Sequence, residues 1–120
     1  LLEEHGFETV LCEDLSLAKQ VTLFTKTTAI IGGHGAGLTN LMYCVAGSFV
    51  GEIYIDGVPP VYLVMSRQLG MRFNRFKANT PAVEQSQVDM QVDPAAFKKW
   101  MIDCLDPLNH AASNRVRQRV

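Results

Sequence analysis

No apolar run in this 120-residue chain approaches the length needed to cross a bilayer, and no secretory leader is visible. Membrane contact by this segment is therefore not expected, and an anchor on the parent protein would lie outside it. Charge of one sign is also missing: 11 Lys and Arg stand against 12 Asp and Glu, for a net charge of -1. That balance argues against a broad electrostatic footprint for nucleic acid or anionic lipid. The three cysteines, Cys12, Cys44 and Cys104, include no close-spaced pair. A disulfide framework or zinc site is thus disfavoured, and buried thiols are expected, with the redox compartment left open. Internal repeats and low-complexity tracts are absent.

What is present is the composition of one globular domain, with 48% hydrophobic residues. The opening Leu-Leu-Glu-Glu-His-Gly reads as the last turn of a helix closed by Gly6, so the chain is expected to be part of a longer protein. Acids gather at Glu3, Glu4, Glu8, Glu13 and Asp14, whereas Arg115, Arg117 and Arg119 mark a basic end read as a solvated tail. These signals divide the chain into a lobe over 1–106 and a tail over 107–120.

Strand and helix patterns alternate. Glu8 to Cys12 reads as a strand, and Leu17, Val21 and Phe24 form a helical stripe that Ser16 or Asp14 could cap. Thr28 to Gly32 is a continuous apolar strand, Phe49 to Ile55 a third strand and Met71 to Phe76 a fourth. Pro59-Pro60 opens a helix carrying Tyr62, Met65 and Leu69 that Gly70 closes. Asn79-Thr80-Pro81 and Glu84 to Gln87 read as a loop, Met90 to Val92 as an extended piece, and Asp93-Pro94 as the start of a helix with Phe97, Met101 and Leu105 on one face. Trp100 is expected to pack that helix on the sheet. The alternation predicts an α/β fold, a Rossmann-like parallel sheet with helices on both faces.

The densest chemistry lies at Gly32-Gly33-His34-Gly35-Ala36-Gly37-Leu38-Thr39-Asn40, between the apolar strand and a helix whose stripe is Leu38, Leu41, Met42 and Val45. Glycines at such a junction admit a ligand close to the backbone, and a helix start adds unpaired N–H donors. No Gly-Lys-Ser/Thr follows, so this is not a Walker A loop. Leu38 also stands where the dinucleotide fingerprint places its third glycine. A diphosphate or carboxylate cradle remains, against glycines that merely let strand and helix pack. His34 could donate to a phosphate or could fix the turn through a backbone carbonyl. Thr39 and Asn40 could add donors or act as caps.

The order His34-Gly35-Ala36-Gly37-Leu38-Thr39-Asn40 resembles the C-terminal part of glycosyltransferase family 61. The resemblance extends to Glu13 through Gln20, to Ala46 through Ile53 with its glutamate, and to Tyr62 through Gly70. Val45-Ala46 depart from it, standing where members often carry prolines. It implies one lobe of a GT-B type enzyme, with the N-terminal lobe of the same protein completing the cleft. The implied activity is inverting transfer of xylose, arabinose or N-acetylglucosamine from a UDP-sugar to a glycan or glycoprotein, generally without a metal. The UDP-sugar is a co-substrate, and no cofactor is implied. The chain has no paired aspartates resembling a metal-diphosphate motif.

On this reading the backbone of Gly33, Gly35, Ala36, Gly37 and Leu38, with His34, Thr39 and Asn40, holds the nucleotide-sugar. Glu52 accepts from sugar hydroxyls or, alternatively, forms an internal ion pair with Arg67 or Arg72, and Asp56 is the rival acid. The catalytic base has no candidate here and is expected in the other lobe, so the segment alone should bind donor without turnover. The alternative is a noncatalytic nucleotide- or phosphate-binding module on the same fold.

Overall fold

The computed structural model describes residues 2–79, 91–109 and 116–119. Its centre is a five-stranded sheet in which every pairing is parallel. The strands are β1 (Phe7–Thr9), β2 (Thr27–Gly33), β3 (Phe49–Tyr54), β4 (Arg72–Lys77) and β5 (Val116–Arg119), in spatial order β1-β5-β2-β3-β4. Helices α1 (Leu17–Phe24), α2 (Val61–Gln68) and α3 (Pro94–Asn109) join them, together with a 3₁₀ helix over Ala36–Tyr43.

Alternation along the central strands sorts side chains to the two faces. Ile30 and Val50 pack with Phe24 of α1, Leu38 and Leu41 of the 3₁₀ helix, and Tyr62 of α2. Ala29, Ile31 and Phe49 pack instead with Phe97, Met101 and Leu105 of α3, together with Leu2 and Phe7. The sheet is thus covered on both sides, an α/β arrangement compatible with a Rossmann-like lobe.

Local chemistry explains most boundaries. Ser16 Oγ accepts from Lys19 N–H at 3.2 Å and starts α1. Asp93 Oδ1 accepts from Ala95 N–H at 3.2 Å, with Pro94 at the first position of α3. The turn Val45–Ser48 closes through Ser48 N–H to Val45 O at 3.0 Å, and Gly47 supplies the positive φ of 87° that a type II turn requires. No proline is needed there.

Three expectations are corrected. The first strand is Phe7–Thr9 rather than Glu8 to Cys12, because Gly6 at φ 81° ends the 3₁₀ turn Glu3–His5 and delivers the chain straight into the sheet; Cys12–Asp14 forms a 3₁₀ turn. The element after the glycines is a 3₁₀ helix, so burial follows a period of three through Leu38, Leu41 and Cys44 while Met42 and Val45 are exposed. The end of the chain is not simply a tail: α3 runs on to Asn109, and Val116–Arg119 enters the sheet between β1 and β2. Its alternating arginines gave it the look of a solvated segment.

The expected loop from Thr80 through Gln87, and Met90, lie outside the described residues. Asn79 and Gln91 at its two ends exchange backbone hydrogen bonds of 2.8 and 2.7 Å. Among the described residues no helix is long and apolar enough to cross a membrane.

Candidate functional site

Because β2, β3 and β4 are parallel, their carboxyl ends share one edge of the sheet, where ligands of open α/β folds bind. The glycine turn leaves β2 at that edge. His34 N–H bonds Ile53 O of β3 at 2.9 Å, so the turn begins still laced to the sheet. Gly35 is extended, with φ 167°, and the 3₁₀ helix begins at Ala36. Leu38 N–H closes the first turn onto Gly35 O at 3.1 Å.

These bonds narrow the proposed cradle. The amides of His34 and Leu38 are engaged by protein carbonyls. Ala36 and Gly37, the first two residues of the 3₁₀ helix, have no carbonyl within the helix to receive their N–H groups. None of the junction glycines adopts the left-handed region. A Cβ on Gly35 would meet only Gly33 O at 3.9 Å, so backbone strain does not demand glycine there.

Asn40 is buried, and its Nδ2 donates to Gly37 O at 3.1 Å and to Cys12 Sγ at 3.4 Å. Both amide hydrogens are spent within the protein, which supports the capping role over the ligand-donor one. The side chain of Leu38 is fully buried core. Thr39 is half-buried on the same 3₁₀ helix.

The strongest polar constellation centres on Glu52, which sits in β3 with only 1% of its surface exposed. Its Oε2 lies 2.7 Å from His34 Nδ1, and its Oε1 accepts from Arg75 Nε, also at 2.7 Å. A buried carboxylate is tolerable only with partners of this kind. Glu52 is therefore an internal ion pair here, and the partner is Arg75 rather than Arg67 or Arg72.

Register explains the choice: Glu52 pairs with Arg75 directly across β3 and β4, whereas Arg72 lies three pairs away, opposite Phe49. The same register is the signal that sequence reading lacked. Arg75 also places its guanidinium carbon 3.7 Å from the centre of the Tyr54 ring, and its Nη2 is buried with no hydrogen-bond partner among the described residues. Asp56, by contrast, is 80% exposed and paired with Lys77 at 2.8 Å. The hydrogen bond to Asp56 holds the Lys77 ammonium above its usual range.

Tyr62, buried in the core under α2, has a second role. Its ring packs edge-on to His34, with centroids 5.1 Å apart, and its hydroxyl donates to Gly35 O. Helix α2 thereby clamps the turn and the imidazole together. Among the described residues no group of His, Cys, Asp and Glu is arranged to hold a metal ion.

Comparison with known proteins bears on the same region. The family model for Glycosyltransferase 61 matches residues 1–51, which include the glycine turn. An EGF domain-specific O-linked N-acetylglucosamine transferase of Drosophila melanogaster is 28% identical over 75 residues. That match covers 62% of this chain but 14% of the relative, so the chain spans a small part of that protein's length. No solved structure matches significantly. Over residues 1–51 the chain is thus similar to glycosyltransferase family 61, and over 75 residues it is distantly similar to one named glycosyltransferase.

Proposed function

We propose that the chain is the nucleotide-sugar-binding lobe of a GT-B type glycosyltransferase that takes its sugar from a UDP donor with inversion. The observation that carries this reading is the turn at the carboxyl edge of the sheet. There the amides of Ala36 and Gly37, which have no acceptor within the 3₁₀ helix, follow His34, itself held by Tyr62 and Glu52.

The chemistry suits such a turn. As the glycosidic bond breaks, negative charge gathers on the departing diphosphate, and donors already in place stabilise that charge more than they stabilise the ground state. The amides of Gly35, Ala36 and Gly37 supply donors, with His34 alongside and Gly33 permitting close approach. Thr39 adds a hydroxyl to the same turn. No step in this account needs a metal or a cofactor.

The base that takes the acceptor's proton belongs to the N-terminal lobe in this proposal, so the chain alone binds donor and does not turn over. The acceptor is a glycan or glycoprotein. The sugar is of the xylose, arabinose or N-acetylglucosamine class, and the O-linked N-acetylglucosamine transfer named for the Drosophila relative falls within it.

Titrating the chain with UDP and with NAD while following backbone amide resonances tests the reading. Saturable UDP shifts at Gly35 to Gly37 are expected. Shifts with NAD alone, or none in the turn, would overturn it, and UDP binding by a full-length protein unable to transfer sugar would favour a noncatalytic nucleotide-binding module.

A further inference from the structure

We infer that the cavity between β4 and α3 is a second binding site, built for a neutral sugar residue, on the opposite face of the sheet from the 3₁₀ helix that follows the glycine turn. The inference does not depend on the nucleotide reading of that turn.

Two periodicities bring the lining together. Alternate side chains of β4 share a face, so Arg72 and Asn74 lie on the side of Phe76, which packs against the α3 core. On α3, Trp100, Asp103 and Cys104 stand at helical spacing beside the deeper stripe of Phe97, Met101 and Leu105. Between these two rows, with Phe49 also in its wall, lies a cavity of about 400 Å³. Phe49 and Arg72 each open their strand, so the cavity lies towards the amino ends of β3 and β4, whereas the glycine turn leaves the carboxyl end of β2.

The aromatic wall is held in place before any ligand arrives. Trp100 Nε1 donates to Asn74 Oδ1 at 3.1 Å, and the indole packs with centroids 5.5 Å from Phe76, 5.5 Å from Phe97 and 6.3 Å from Phe49. The absence of a Cβ at Gly51 makes room for Trp100 Cη2. The ring is nonetheless only half-buried and lines the cavity. A fixed indole of this kind offers an apolar surface to the C–H groups of a sugar ring.

The amide of Asn74 is fixed as well. Its Oδ1 also accepts from Arg75 N–H at 2.8 Å, so both lone pairs are used and the orientation of the group is set. Nδ2 has no protein partner among the described residues and keeps two hydrogens for a ligand. Arg72 and Asp103 are exposed, and among the described residues neither is in an ion pair.

These three groups select the ligand class. The Arg72 guanidinium and Asn74 Nδ2 can only donate, and the ionised Asp103 can only accept. An anion would meet the charge of Asp103 and a cation that of Arg72, so the lining favours a neutral molecule. A hydroxyl both donates and accepts. A ring with several hydroxyls therefore satisfies all three groups at once while its C–H face lies on Trp100, and a sugar residue combines these properties.

Trp100 is the sole tryptophan of the chain, so intrinsic fluorescence reads the cavity directly. The intact chain is titrated with xylobiose, cellobiose and diacetylchitobiose as neutral probes, and with glucuronate, glucosamine and uridine as controls. Wild type is compared with R72A, D103A and N74D. The last keeps both bonds at Oδ1 and removes only the Nδ2 donors. Circular dichroism establishes that each variant is folded.

A saturable change is expected with a neutral disaccharide, at a dissociation constant on the order of 1 mM for so small a ligand. Each of R72A and D103A should weaken it about fivefold, and N74D about tenfold, while backbone amide shifts with UDP at Gly35 to Gly37 stay as in wild type. A merely structural role for these side chains would move the thermal midpoint and leave sugar affinity unchanged. If N74D does not fold, R72A and D103A, both on exposed side chains, decide.

No saturable change with any neutral disaccharide overturns the inference, as does preferential binding of uridine or of either charged sugar, or equal sugar affinity in wild type and the folded variants. Each of these outcomes leaves the donor-lobe reading standing, because that reading is tested by UDP at the turn.

Discussion

The hydroxyl of Tyr62 on α2 donates to the carbonyl oxygen of Gly35, binding a helix to a turn 27 residues earlier in the chain. This single bond connects the core under α2 to the segment whose amides face the proposed ligand. Replacing Tyr62 by Phe keeps the ring against His34 and removes only the bond. The cost to stability is expected to be about 1 kcal/mol, with faster amide exchange at Gly35 to Gly37 and weaker UDP binding. Exchange rates unchanged in the turn would show that the clamp does not restrain it.

Glu52→Ala should be far more disruptive than its single position suggests. It leaves Arg75 and His34 without the carboxylate that both address, and breaking such a buried pair costs about 3 kcal/mol. Urea unfolding of wild type and variant measures it. A loss below about 1 kcal/mol, the range of surface pairs, would mean that water readily replaces the carboxylate.

Gly51 is required by space rather than by backbone conformation. A Cβ there would approach Trp100 Cη2 to 2.9 Å, Ile31 Cγ1 to 3.0 Å and Phe49 Cε1 to 3.1 Å. Gly51→Ala is expected to destabilise by about 1–3 kcal/mol through overpacking, with Trp100 displaced from its 3.1 Å bond to Asn74 Oδ1. In a Trp100→Leu background the penalty should shrink, a non-additivity readable in a double-mutant cycle.

Burial pushes the Cys44 thiol up to about 12, so it should resist alkylation in the folded protein at neutral pH. Cys12 and Cys104 are also raised, by desolvation foremost, but both are less buried. Mass spectrometry after brief iodoacetamide treatment is expected to find Cys44 modified last. For stability the sign follows from the folded state holding the proton more tightly than the unfolded chain. The Cys44 contribution is full below the ordinary thiol value of 9.0 and is lost as pH rises from there towards about 12.

The cap on α1 gives a purely local prediction. Ser16→Ala removes the acceptor for Lys19 N–H and should cost about 1 kcal/mol, seen as a small fall in thermal midpoint. Ser16→Asp should restore it.

Much of the fold was legible because it is written in short-range chemistry. Ser16, Asp93-Pro94 and Gly70 mark helix ends through their own side chains or backbone freedom, and the apolar run through Ile30 and Ile31 marks a strand covered on both faces. The glycine-histidine turn was legible as a special junction for the same reason. Its helical type was not, since a period of three and a period of 3.6 differ little over eight residues. Nor was Val116–Arg119, whose place in the sheet depends on a gap between β1 and β2 that no local pattern announces.

The amino-acid order alone settled that strands and helices alternate from Thr27 to Lys77, that the chain builds an α/β core, and that residues 32–40 are an unusual strand-to-helix junction, because each depends on neighbours in sequence. Tertiary structure alone decided that Glu52 answers to His34 and Arg75, that Asn40 turns inward to Gly37 and Cys12, and that Tyr62 clamps Gly35. Those partners come from two strands, the glycine turn, helix α2 and two 3₁₀ segments, and only the folded sheet with its packed helices brings them within hydrogen-bond reach.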